Sequence, residues 1–241
     1  MAATQSHFAL RARCVAALTL GLTAAAAAQV PLSEEPRHKV VFANADLRVL
    51  DVLIPPGDVT LDHRHDRDLV TVSMNDGADT RVQAPGQASV ARPRRPLGDT
   101  TVAQYVGAPA SHRIENVGSA PYHLFAVENQ HAAGWSAAPA ATGLGTTLTN
   151  DTRTFRTYDV RLGRDSAQVS HTHAVPTIVV LINGLVMSEG PDAQAKALAP
   201  APVGMKQLAQ PGQWLLVPAG DTHHLVRLST GEGRVVEIEV R

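Results

Sequence analysis

Leu47-Arg48-Val49-Leu50-Asp51-Val52 returns 108 residues later as Phe155-Arg156-Thr157-Tyr158-Asp159-Val160, and the likeness continues downstream. Asp51 is followed twelve residues on by His63-Arg64-His65, and Asp159 twelve residues on by His171-Thr172-His173. Each pair leads into a β-branched or apolar run that reaches glycine, Gly77 in the first copy and Gly184 in the second. One His-x-His pair carries little information in a chain with 11 histidines. Two pairs at one distance from one pattern indicate a duplicated unit.

Around the repeat the chain reads as β. Segments 48–54, 70–74, 100–106, 122–127, 177–182, 214–217 and 234–240 are short and rich in Val, Ile, Leu and Thr. Pro-Gly, Asn-Asp-Gly, Pro-Ala-Gly and Gly-Glu-Gly turns punctuate them. Only 194–198 offers a modest helical pattern. Many short strands with regular turns predict an all-β chain, a sandwich or small barrel. The Ala-, Gly- and Thr-rich stretch 131–153 reads as a linker between a first domain, 37–130, and a second, 154–241. Polar excursions at 83–97 and 188–210 read as loops, either shading a pocket mouth or forming plain surface.

Residues 1–28 read as a signal peptide. Arg11 and Arg13 precede an apolar run from Cys14 that closes in Ala26-Ala27-Ala28, small residues suited to cleavage. The run is shorter than the roughly 20 residues that span a bilayer, so an uncleaved anchor is the weaker reading. A mature chain from Gln29 is expected in the periplasm or secreted. It holds 19 basic and 22 acidic side chains with no long basic run, which gives no reason to expect nucleic acid. Cys14, the only cysteine, leaves with the leader, so disulfide and thiol chemistry are not expected in the mature protein.

Side chains two apart on a strand share a face, so each His-x-His sets two imidazoles side by side. A metal site needs a third ligand from another strand. Pro218-Ala219-Gly220-Asp221-Thr222-His223 supplies one in the second half, and Pro109-Ala110-Ser111-His112 in the first. The candidate ligands are therefore His63, His65 and His112, and His171, His173 and His223. The competing reading is a decayed site of satisfied core histidines. His38, His123, His131 and His224 read as structural or solvated.

These motifs resemble the cupin superfamily. Its first motif is glycine, five residues, His-x-His, three or four residues, Glu, six residues, glycine. Gly57, His63, His65 and Gly77 match it, as do His171, His173 and Gly184, with Asp165 in the place of Gly57. Its second motif, glycine, five residues, Pro-x-Gly-x-x-His-x-x-x-Asn, is matched by Gly212, Pro218, Gly220 and His223, with Arg227 where Asn is expected. The first half keeps His112 and Asn116 after a shortened turn. The resemblance implies a bicupin: two tandem jelly-roll β-barrels with a metal inside. The family's glutamate is missing; Leu69 or Val70 holds its place in the first half and Thr177 in the second, and Asp68 falls on the opposite face from His65. Three-histidine cupin sites resemble the thiol, diketone and gentisate dioxygenases.

The expected cofactor is a divalent transition metal: copper, zinc, iron or manganese. The leading function is a dioxygenase-like metalloenzyme acting on a small organic molecule; a redox-neutral lyase or isomerase, or a small-ligand binding module, compete with it. Self-association into a homo-oligomer is left open. Strand alternation from His223 sends Arg227 inward beside Thr177, which predicts a guanidinium receiving a substrate carboxylate at the metal. The alternative is that Arg227 curls out to solvent or pairs with Glu237 or Glu239.

Overall fold

The structure, a computed structural model, describes residues 29–131, 146–163, 170–189, 194–196 and 207–241. The leader 1–28, Asp165 and parts of 131–153 and 188–210 lie outside the described residues. The first half contributes β1 (Val30–Pro31), β2 (His38–Ala43), β3 (Leu47–Ile54), β4 (His63–His65), β5 (Leu69–Ser73), β6 (Thr80–Gln83), β7 (Val90–Arg92), β8 (Thr100–Ala103), β9 (Ala110–Asn116) and β10 (Tyr122–Asn129). The second contributes β11 (Thr146–Asp151), β12 (Phe155–Leu162), β13 (His171–Thr172), β14 (Thr177–Asn183), β15 (Val186–Glu189), β16 (Gln194–Lys196), β17 (Gln207–Leu208), β18 (Trp214–Val217), β19 (Thr222–Arg227) and β20 (Gly233–Val240). A single 3-10 turn, Leu32–Glu34, joins β1 to β2.

Each half forms two sheets. Their strand orders are β1-β4-β9-β6-β7 and β2-β3-β10-β5-β8 in the first, β11-β12-β20-β14-β18-β16 and β13-β19-β15-β17 in the second. The duplication is visible strand by strand. β3 pairs β10 over eight residues, as β12 pairs β20, and the histidine strands pair as His63↔His112 and His171↔His223. Gly77 and Gly184 occupy the same kind of turn, with φ of +80° and +82°. A Cβ there would sit 2.7 Å from the Arg95 carbonyl oxygen and 2.6 Å from that of Glu232, so only glycine fits.

The strands are apolar on both faces because both faces are covered. Leu50, Val52 and Ile54 of β3 enter the interior of the first half, where they meet Ile114 of the facing sheet. Leu47 and Val49, on the other face, join Val70, Val72, Phe125 and Val127 in a core shared with Ile178, Val180, Trp214, Val236 and Ile238 of the second half. Trp214 is fully buried there, with its ring 5.6 Å from Phe42 and 6.1 Å from Phe125. Polar contacts cross the same seam. Asn129 Nδ2 donates to the carbonyls of Thr154 and Arg241, Thr154 Oγ1 to Asp68, and Arg234 Nη1 to the Leu97 carbonyl.

Three sequence expectations are corrected. The stretch read as a linker contains β11, which pairs with β12 because Thr149 and Asn150 hydrogen-bond Thr157 across the ladder. The helical candidate at 194–198 begins with strand β16 on the edge of β18. The first half begins before residue 37, because β1 pairs in parallel with the histidine strand β4. No helix among the described residues is long and apolar enough to cross a membrane.

Candidate metal centres

Two clusters of imidazoles form where β4 meets β9 and where β13 meets β19, each with its candidate ligand atoms within 4.8 Å of one another. In the first half, His63 and His65 are buried and His112 is half-buried. His63 Nδ1 lies 2.9 Å from the Leu61 carbonyl, which must accept its proton, so the lone pair resides on Nε2. His63 Nε2 and both ring nitrogens of His65 meet no hydrogen-bond partner among the described residues. Leaving such atoms buried and unmatched costs about 1–3 kcal/mol each. Burial pushes the His63 imidazolium down to about 4, His65 to about 2 and His112 to about 3, and the neighbouring imidazoles push the same way. Near neutral pH all three are lone-pair donors, and a cation is what their arrangement fits.

The surroundings of this cluster are apolar. A cavity of about 70 Å³ lies against His65 and His112, walled by Leu50, Val52, Leu69, Ile114, Leu124 and Ala126. Tyr105 stacks on His65 with ring centres 4.6 Å apart, and Arg92 of β7 also lines the space. The 83–97 excursion therefore does reach the pocket, through Arg92. His38, read from the sequence as structural or solvated, is buried with its ring 4.6 Å from that of His63, and it lines the same cavity. Its Nδ1 contacts Glu35 at 2.5 Å. Burial alone would raise the Glu35 carboxyl, but His38 and the backbone N–H groups of Leu61 and Arg37 reverse this and hold it below the usual range.

The second cluster contains an acid. His171 Nε2 and His173 Nε2 are 3.1 Å apart, His173 Nε2 and His223 Nε2 3.0 Å, and Glu237 Oε2 lies 3.8 Å from both His171 and His173. His173 Nδ1 donates to Glu239 Oε1 at 2.9 Å, which puts its lone pair on Nε2. Nitrogens about 3 Å apart match two ligands at right angles on one ion at about 2.1 Å. Facing lone pairs repel without a proton or cation between them. Burial and the neighbouring imidazoles of His173, His171 and His224 lower His223 to about 3. Glu239 in turn accepts from Tyr158 Oη and Arg156 Nη1, both at 3.4 Å.

Glu237 and Glu239 are the residues that motif reading missed. They come from β20, whose Val236, Ile238 and Val240 face the shared core and whose acids point the other way, into the second half. The signal was a strict alternation of acid and aliphatic residues, which reads as an outward-facing polar row when only one core is assumed.

The other candidates separate. Thr177, in the glutamate's sequence place, is buried, and its hydroxyl donates to the Val175 carbonyl, holding the preceding turn. Arg227 is corrected from a pocket residue to a turn residue: its Nη1 donates to the carbonyls of Thr230 (3.2 Å) and Gly231 (2.5 Å). β19 ends there, and the nearest acceptors are those of its own turn rather than Glu237 or Glu239. Asp68 caps the N–H groups of Tyr105 and Val106. His123 and His131 pair with Asp51 and Asp46, structural roles as expected.

No family model and no curated protein matches the sequence. Solved structures do match. AerE from Microcystis aeruginosa superposes with a TM-score of 0.55 at 13% identity, over 86% of this chain and 98% of that one. A cupin 2 conserved barrel domain protein from Leptotrichia buccalis gives 0.51 at 10%, over 84% and 88%. A salicylate 1,2-dioxygenase from Pseudaminobacter salicylatoxidans gives 0.58 at 10%, over 85% and 77%. At such identities the likeness is one of fold. Strand order, paired histidine ladders and structural neighbours agree: the chain is an all-β protein with the cupin fold.

Proposed function

We propose that this is an exported two-domain metalloprotein whose first half is a reacting centre for a small organic molecule, with dioxygenase-like oxidative cleavage as its chemistry. The observation that carries the proposal is the first cluster: three neutral imidazoles, two with unmatched nitrogens, of which His65 and His112 line a largely apolar cavity. His63, His65 and His112 would hold the first metal, and His171, His173, His223 and Glu237 the second. A divalent transition metal held by three neutral ligands keeps its charge and open positions, and supplies Lewis-acid and, if redox-active, oxygen chemistry. The protein's own part is to keep the imidazoles unprotonated by burial, to fix His63 through Leu61 and to exclude water with aliphatic walls. A salicylate 1,2-dioxygenase among the structural neighbours, known as adducts with gentisate, lends support of fold only.

A second reading has an observation of its own. His38 lines the same cavity and is held by Glu35 behind it, an arrangement built like a general base with its orienting carboxylate, which suits a redox-neutral lyase or isomerase. Metal analysis and oxygen uptake decide. The wild type should bind two divalent ions, His63→Ala/His65→Ala one fewer, and turnover should consume oxygen. Full turnover without oxygen selects the lyase or isomerase; ligand binding without turnover selects a binding module. Unchanged metal content in both double-histidine mutants (His63/His65 and His171/His173) would falsify the metalloprotein itself.

A further inference from the structure

Arg92 stands out among the arginines. Arg48, Arg94, Arg95, Arg156, Arg161, Arg234 and Arg241 each hold a carboxylate. Arg92 is half-buried at the end of β7 and lines the first-half cavity, yet among the described residues its guanidinium has no carboxylate or carbonyl partner. A guanidinium presents five N–H donors in a rigid fork and stays charged, and half-burying it without an acceptor is unfavourable. Its charge reaches the histidines: Arg92 adds to the forces that keep His65 and His112 unprotonated. Beside it, the Tyr105 hydroxyl also meets no partner among the described residues, while its ring is fixed on His65.

From this geometry we infer that Arg92 is the specificity-determining residue of the first-half site, and that the site takes a small organic carboxylate. The fork of Arg92 binds the carboxylate, and Leu50, Leu124 and Ala126 receive the apolar body. The body then lies against His65 and His112. The cavity of about 70 Å³ has room for roughly five ordered waters, which limits the ligand to a compact molecule of benzoate size or below. This inference rests on the reading of the first half as the reacting centre and names the substrate class for it. It also relocates the anion site from Arg227, whose Nη1 is held by its own turn.

The test is calorimetric titration of benzoate, and of its neutral isostere benzamide, into the mature chain, metal-free and zinc-loaded. Wild-type protein should prefer benzoate about tenfold or more. Arg92→Gln should weaken benzoate about 10- to 100-fold, the range expected for charge-assisted bonds, and leave benzamide unchanged. Arg92→Lys should retain part of the preference, and Arg227→Gln all of it. Equal binding of the two ligands by wild type, or a benzoate preference that survives Arg92→Gln, overturns the inference. So does an equal loss of both ligands, because that reports shape rather than charge. If zinc fails to bind at all, the metalloprotein reading falls, yet the metal-free titration still decides the role of Arg92.

Discussion

The two halves share one ladder and one histidine triad but differ at sheet positions beside the histidines, and those differences bear on their chemistry. Glu237, opposite Tyr158 in the second half, corresponds to Ala126, opposite Leu50 in the first. His38, opposite Val52, corresponds to Thr146, opposite Val160. One centre thus has a carboxylate beside its imidazoles; the other has an apolar wall and a spare histidine. A ligand carboxylate lowers the charge of a bound metal and satisfies it, whereas an apolar wall leaves room for an organic ligand. Duplication kept the strands that aim the histidines and left the chemistry to residues behind them.

The two halves meet across one buried seam, and the largest expected effect lies there. Trp214 belongs to the second half but packs against Phe42 and Phe125 of the first. Trp214→Ala should cost about 3–5 kcal/mol, the range for truncating a buried aromatic. Calorimetry should then resolve two unfolding transitions where the wild type shows one. A single transition in the mutant would mean that the polar contacts of Asn129 and Thr154 suffice to couple the halves.

Glu237→Ala is next in size. Removing a carboxylate beside the imidazoles should weaken the second centre by more than the roughly 10- to 100-fold typical of an outer partner, and leave the first centre alone. Competition with a chelator, read separately in histidine mutants of each half, measures both. Glu239→Gln should give the smaller loss, about 10- to 100-fold, because Glu239 orients His173 through Nδ1 without joining the cluster. Its counterpart Glu128, raised by burial although Arg48 opposes the shift, contacts no histidine ligand in the first half. Glu128→Gln should leave metal affinity unchanged, and a matching loss there would erase the claimed difference.

Much of this was legible in sequence. The 108-residue offset, the His-x-His pairs and the turns before His112 and His223 located all six histidines, because ladder geometry fixes which way i and i+2 point. What failed was the assignment of faces. β20 places its aliphatic row outward, since the shared core lies outside the second half, and this turns Glu237 and Glu239 inward. Alternation cannot tell an outward polar row from an inward one when both faces are covered. Arg227 failed for a local reason: alternation holds only while the strand lasts, and β19 ends at that residue. His38 was missed because its contact with His63 depends on the Leu32–Glu34 turn, which brings Glu35 beneath it.

The smallest effect concerns acid. In the metal-free protein the folded-state values of His63, His65 and His112 lie below the ordinary 6.5, with burial as the leading cause. The unfolded chain therefore binds more protons than the folded one below about pH 6.5, and stability must fall as pH falls. The decline should begin near 6.5; the His63 share ends near 4, and those of His112 and His65 continue below it, to about 3 and about 2. From pH 7 to 6 each histidine contributes less than about 1 kcal/mol, so the melting temperature should drop by a few degrees. In the second half His223 is lowered in the same way, and the first half, with three such imidazoles, should move further. Trp214→Ala, with its separated transitions, is the background in which to see this. If the second-half transition shifts as steeply between pH 7 and 5, the larger number of lowered imidazoles in the first half has no consequence for its stability. The electrostatic part of the contrast between the halves would then fail.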